Sequence, residues 1–122
     1  MISKFGNFIR KVRSKENESL RKMASKLGIT PSFLSAMEVG RKTIPLEYIS
    51  KIGELYNLSD EETIELENSV YETNERVSIE LDIMNEAQKD ISLLFARKIK
   101  TADDKLLEKL REALLNEEDK SN

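Results

Sequence analysis

The chain has 122 residues, 39% hydrophobic and 35% charged, with a formal net charge of -3, which fits one modest domain or a small domain with a helical appendage. It contains no cysteine and no histidine, which excludes disulfides, thiolate metal sites, Ser/His or Cys/His nucleophile arrangements and imidazole chemistry. No apolar run approaches the ~18 residues of a membrane span, and the opening MISKFGNFIRKVRSKE spreads charge where a signal peptide needs an unbroken apolar segment, so a soluble, cytoplasmic protein without a membrane partner is expected.

Residues 3–15 place Phe5, Phe8, Ile9 and Val12 at helical spacing among basic residues, and predict an amphipathic first helix. Ser19 is a fitting N-cap for a second helix with Leu20, Met23, Ala24 and Leu27 inward, and Gly28 ends it. Thr30 followed by Pro31 opens a third helix running to about Val39, where Gly40 stops it. A fourth helix is expected from Pro45, burying Leu46, Ile49, Ile52 and Leu55. A fifth follows Ser59, with Glu62 in capping-box spacing and Ile64, Leu66, Val70 and Tyr71 inward.

The segment YETNERVS breaks the periodicity and reads as a hinge. Beyond it, Ile83, Met84, Ala87, Ile91, Leu94 and Phe95 predict a helix over 78–98, and Thr101 is placed to cap a last helix bearing Leu106, Leu107, Leu110 and Leu114. The end, NEEDKSN, is expected to fray. No strand is required. The apolar face of the last two helices is large for a tail with only the fifth helix beside it, which makes Met84, Ile91, Leu94, Phe95, Leu106, Leu107, Leu110 and Leu114 candidates for dimerisation; packing within the chain is the alternative.

Charge divides the chain. Residues 1–44 hold ten Lys/Arg against three Glu, a net +7, and residues 45–122 hold ten Lys/Arg against twenty Asp/Glu, a net -10. The first part suits a polyanion and the second is repelled by one. Between them, LRKMASKLGITPSFLSAMEVGRK describes two short helices locked together: Ala24 leaves room where they cross, Gly28 permits a sharp turn, and Ile29, Leu34 and Met37 hold the third helix across the second. Such a pair is a helix-turn-helix, whose second member can enter a major groove.

The stretch from about Phe5 to Leu58, in particular FGNFIRKVR, SLRKMASKLGITPSFLSAMEVGRKTIP and ISKIGELYNLS, resembles the helix-turn-helix domain of the phage repressors, the Cro and C1 proteins and the wider XRE group of regulators. The resemblance implies a five-helix phage-repressor-like domain, taken over residues 1–71; the residues beyond carry no equally specific match, and their own periodicity and charge make 72–122 an acidic extension of about two helices and a dimerisation region, so the chain is expected to be all-α. It also implies a dimeric transcriptional repressor or an antitoxin-like regulator on double-stranded DNA with a palindromic operator; no cofactor or metal is expected, since the chain lacks Cys and His. Residues matching those that face DNA in relatives are Thr30, Ser32, Phe33, Ser35 and Ala36. Phe33 lies opposite the Leu34 and Met37 line and suits thymine methyls, the alternative being an outlying core residue.

The family's pairing of an arginine late in the first helix with a glutamate late in the third matches Arg13 and Glu38, expected as a structural contact. Two positions depart from the pattern. Glu18 stands where an apolar residue is usual, which predicts a looser first loop, and Leu20 replaces a phosphate-fixing glutamine, which shifts that task to Arg21 or Lys22. Arg21, Lys22, Arg41 and Lys42 flank the helix pair as phosphate contacts, with Lys26, Lys4 and Lys11 as weaker candidates. The acidic runs at 60–62 and 103–104 sit at helix starts, where carboxylates are favoured by free amides, and adjacent residues on a helix do not face each other. No enzymatic activity is expected. A protein partner bound by the acidic extension is the competing expectation.

Overall fold

The computed structural model describes the backbone of residues 1–120 and side chains through Asn116. Among the described residues the chain is all-α, without strands, and forms two compact units, Met1–Ser78 and Ile79–Asn122.

The first unit contains α1 (Lys4–Glu16), α2 (Leu20–Leu27), α3 (Pro31–Glu38), α4 (Glu47–Leu55) and α5 (Asp60–Asn74). Local chemistry sets most of these ends. Ser3, Ser19, Thr30 and Ser59 each accept a backbone N–H with the side-chain oxygen, and Ser59 and Glu62 complete a capping box. Gly28 closes α2 at φ 74°, a left-handed conformation open to glycine, and its N–H and that of Ile29 bond to Ser25 and Ala24. The core is one cluster built on Phe5, Ile9, Met23, Leu27, Leu34 and Met37 from the first three helices, with Ile52, Leu66 and Val70 from the last two.

Several sequence expectations change. The fourth helix starts at Glu47 rather than Pro45, and buries Tyr48, Ile52 and Tyr56 while Leu46 and Leu55 are exposed. Each step of three residues falls about 60° short of a turn, so Leu46 and Leu55 drift to opposite sides, whereas 48, 52 and 56 hold one face. Ile64 is exposed because it lies two residues, about 200°, from the buried Leu66. Ile44, before α4, is buried: its N–H donates to Asn74 Oδ1 at 2.9 Å and its carbonyl accepts from Asn74 Nδ2 at 2.9 Å.

The second unit contains α6 (Glu86–Lys98), a 3₁₀ turn (Ile99–Thr101) and α7 (Asp104–Lys120). The helix predicted over 78–98 is therefore shorter at its start. The fifth helix ends at a left-handed Glu75, φ 55°, and α6 starts only where Asn85 and Gln88 exchange capping-box hydrogen bonds. Thr101 belongs to the 3₁₀ turn, and Asp103 accepts the Leu106 N–H at 2.9 Å, so Asp103 is the cap of α7. Of NEEDKSN, expected to fray, the backbone belongs to α7 through Lys120, while the side chains beyond Asn116 and residues 121–122 lie outside the described residues.

Candidate nucleic-acid interface

α3 presents an inner and an outer edge. Leu34 and Met37 are fully buried, Pro31 and Ser32 are exposed, and Phe33, Ser35 and Ala36 are half-buried along the flank. Phe33 packs against the margin of the core, so its ring is only partly available to a ligand. Thr30 is exposed, but its oxygen accepts the Phe33 N–H at 3.1 Å, which leaves the hydroxyl proton free to donate.

The C-terminal end of α3 is fixed from α1. Glu38 is 2% exposed, and its carboxylate receives Arg13 Nη1 at 2.7 Å, Arg13 Nη2 at 3.2 Å and Arg10 Nε at 3.0 Å. The Glu38 carbonyl accepts Ser3 N–H at 2.9 Å and Ser3 Oγ at 2.8 Å. This close approach needs Gly6, since a Cβ there would stand 2.2 Å from the Glu38 carbonyl oxygen. Beyond α3, Gly40 at φ 77° turns the chain, and Arg41 N–H returns to Ala36 carbonyl at 2.9 Å. The turn carries Arg41 and Lys42 into solvent beside the helix.

Charge pairing sorts the basic residues of this unit. Lys4 pairs with Glu72, Arg10 and Arg13 with Glu38, Lys15 with Glu62, and Lys26 with Glu18. Arg21 and Lys22 at the start of α2, and Arg41 and Lys42 after α3, are exposed and form no ion pair among the described residues, although the charge of Lys22 reaches the Glu18 carboxylate. Lys11 shares that state, while Lys4 and Lys26 are already engaged. Two unpaired cations therefore stand on each side of the helix pair.

The first loop is closed, not loose. Glu18 is nearly buried and accepts hydrogen bonds from Lys26 and, at 2.8 Å, from the Tyr56 hydroxyl; Lys26 also lies 5.0 Å from the Tyr56 ring centre. Burial opposes the Glu18 charge but is outweighed by the hydrogen bonds from Lys26 and Tyr56, which hold its pKa below the ordinary 4.5. Burial, then the hydrogen bond to Glu18, pushes the Tyr56 phenol well above its ordinary 10.0. Sequence reasoning missed this cluster and the second arginine on Glu38. Arg10 had a signal, lying three residues before Arg13 and so on the same side of α1.

In the second unit no described side chain is buried. Ile91, Leu94, Phe95, Leu106 and Leu110 line an open groove of about 620 Å³ between α6 and α7, while Leu107 and Leu114 are exposed. Met84, half-buried, accepts the Ser92 hydroxyl on sulfur at 3.6 Å. Among the described residues no three acidic side chains gather as a metal site. No described helix is long and apolar enough to cross a membrane.

A short helix fixed at both ends, with its neighbour braced across it and unpaired cations on either side, defines a helix-turn-helix domain and points to a DNA-binding regulatory role. The sequence pattern of the helix-turn-helix domain family matches residues 6–69, just over half of the chain, and the protein belongs to that family. No curated protein and no solved structure matches the chain.

Proposed function

We propose that the protein is a sequence-specific transcriptional regulator, a non-enzymatic cytoplasmic repressor that binds a palindromic DNA operator as a homodimer. The observation that carries this reading is the set of Arg21, Lys22, Arg41 and Lys42, exposed and unpaired around α3. They supply phosphate contacts, while Ser32, Thr30, the Ser35 and Ala36 flank and the exposed part of Phe33 face base edges. No residue of α3 is Arg, Asn or Gln, so each half-site is read weakly and selectivity draws on two half-sites and on DNA shape. The groove between α6 and α7 is the apolar surface that a second copy would cover.

The test is selection from a random duplex pool with sequencing of the bound fraction. A palindrome with half-sites about 34 Å apart is expected. Log affinity should fall against log salt with a slope of about -5 to -7, and Arg41→Ala should weaken all sequences alike and reduce that slope by about 0.9. Ser32→Ala should change the preferred sequence instead. Failure of folded protein to enrich any sequence would refute the reading. The modest base-reading set on α3 and the uncovered α6–α7 groove favour, in that event, a partner-dependent, antitoxin-like regulator.

A further inference from the structure

Residues 76–83 read RVSIELDI. Val77, Ile79, Leu81 and Ile83 alternate with Arg76, Ser78, Glu80 and Asp82, which is the period of a strand with one apolar face and not of a helix. Three of the four apolar residues are β-branched, the type that strands favour. The segment nevertheless has no ladder. Among the described residues the backbone N–H groups of residues 77–83 donate no hydrogen bond, and Val77, Ile79 and Ile83 are 69%, 51% and 83% exposed. Both ends are anchored: the Tyr71 hydroxyl donates to the Ser78 carbonyl at 3.3 Å, and the Asn85 capping box starts α6. The Met84 N–H closes a turn over Asp82 and Ile83 on the Leu81 carbonyl at 3.0 Å, so the row of free amides from Val77 to Leu81, over an apolar face, is the strand edge open to a partner.

We infer that this segment pairs with the same segment of a second copy, as a two-stranded antiparallel ribbon whose two-fold axis passes at Ile79. The inference rests on the homodimer reading above and adds where the two copies meet. Directly opposite residues point to the same face, so only registers centred on a residue keep the apolar sides together. Centring on Glu80 sets two carboxylates opposite each other, which is destabilising. Centring on Ser78 would match Asp82 with Asn74, which lies within α5. Centring on Ile79 places Arg76 opposite Asp82 and Val77 opposite Leu81, each twice, with Ile79 against itself. Centring on Ser78 also opposes Arg76 to Glu80 and Val77 to Ile79 but stops there, whereas centring on Ile79 keeps charge and apolar pattern self-complementary from Arg76 to Asp82. A two-stranded ribbon is marginal in isolation, so its role is to fix the register of a dimer that the apolar helices also hold.

The chain has no cysteine, so single cysteines report positions cleanly in the full-length protein. Opposite residues lie about 4.5–5.5 Å apart between Cα atoms, within the span of a disulfide. Under mild oxidation Ile79→Cys should form a covalent dimer at least about tenfold faster than Val77→Cys or Leu81→Cys alone, whose own copies lie roughly 13 Å apart along the ribbon. A mixture of Val77→Cys and Leu81→Cys should give the heterodisulfide. Sedimentation of the wild-type protein is run in parallel. A wild-type dimer in which Ile79→Cys has no advantage, or in which Leu81→Cys links to itself faster, overturns the ribbon and leaves the homodimer standing. A wild-type monomer at micromolar concentration overturns both.

Discussion

Gly6 and Gly53 both lie inside helices, and alanine at the two positions should shift stability in opposite directions. In an open helix interior Gly→Ala gains about 1 kcal/mol. At Gly6 the new Cβ would meet the Glu38 carbonyl oxygen at 2.2 Å and its carbon at 3.0 Å, both backbone atoms that cannot rotate away. α1 then has two options. It can stay and bear an overpacking strain of about 1–3 kcal/mol, or withdraw by roughly 1 Å and lose both Ser3 hydrogen bonds to that carbonyl, worth about 1 kcal/mol each. Either outweighs the propensity gain, giving a net loss of about 1–2 kcal/mol and a fall in Tm of roughly 5–15 °C for a unit of this size. At Gly53 the Cβ finds only Thr63 Oγ1 at 3.8 Å, an ordinary contact, so alanine should stabilise by about 0.5–1 kcal/mol. The three tyrosines, Tyr48, Tyr56 and Tyr71, all lie in the first unit and there is no tryptophan, so tyrosine fluorescence during urea or thermal unfolding reports that unit alone. Equal signs for the two variants, or a Gly6→Ala protein as stable as the wild type, would refute the close approach of α1 to α3.

Arg13→Met should lower stability by about 3–5 kcal/mol, because Glu38 stays buried with one hydrogen bond from the half-exposed Arg10. The double variant Arg13→Met with Glu38→Leu should recover most of that loss; urea midpoints that stay equally low would show that the pair acts through packing and not charge. The Glu18 and Tyr56 pair predicts losses at both ends of the pH range. The Glu18 carboxyl has a lowered folded pKa, so the stability it contributes is present above 4.5 and lost as pH falls below that value through the folded pKa. The Tyr56 phenol has a raised one, so its contribution is present below 10.0 and declines as pH rises beyond it. Urea midpoints of Tyr56→Phe should vary less with pH than the wild type at both extremes, and parallel curves would remove the coupling.

What was legible in the sequence was chiefly what is decided within three or four residues. The caps Ser19, Thr30 and Ser59 and the stop at Gly28 each depend on a side chain and an amide one turn apart, and they stand in the structure where the residue types place them. Contacts across the fold left weaker traces. Asn74 binds Ile44 from thirty residues away, and nothing in either local sequence requires it. Leu46 and Leu55 are more apolar than Tyr48 and Tyr56, yet the four-residue spacing of the tyrosines with Ile52 governs which side faces inward. Glu18 at an apolar position reads locally as a defect because its partners, Lys26 and Tyr56, come from two other places in the chain. In the stretch before Asn85, the range 78–98 expected for a helix takes in apolar residues at 79, 81 and 83 whose spacing is two.

The same pairing pattern changes what the +7 of residues 1–44 means for DNA. Lys4, Arg10, Arg13, Lys15 and Lys26 are occupied by Glu72, Glu38, Glu62 and Glu18, two of which belong to α5. The acidic fifth helix therefore neutralises part of α1, and Glu18 and Glu38 are themselves spent on lysine and arginine. What remains is Lys11, Arg21, Lys22, Arg41 and Lys42, and four of these five flank α2 and α3. A net charge counted along the sequence would spread the attraction over the whole half. The pairing concentrates it beside α3, whose outer edge carries small hydroxyl side chains, so under the proposed function the field that draws phosphate also favours that helix for the groove. These five cations of residues 1–44 also set a scale for the salt dependence: a dimer using all of them on phosphates would reach a slope of about -9.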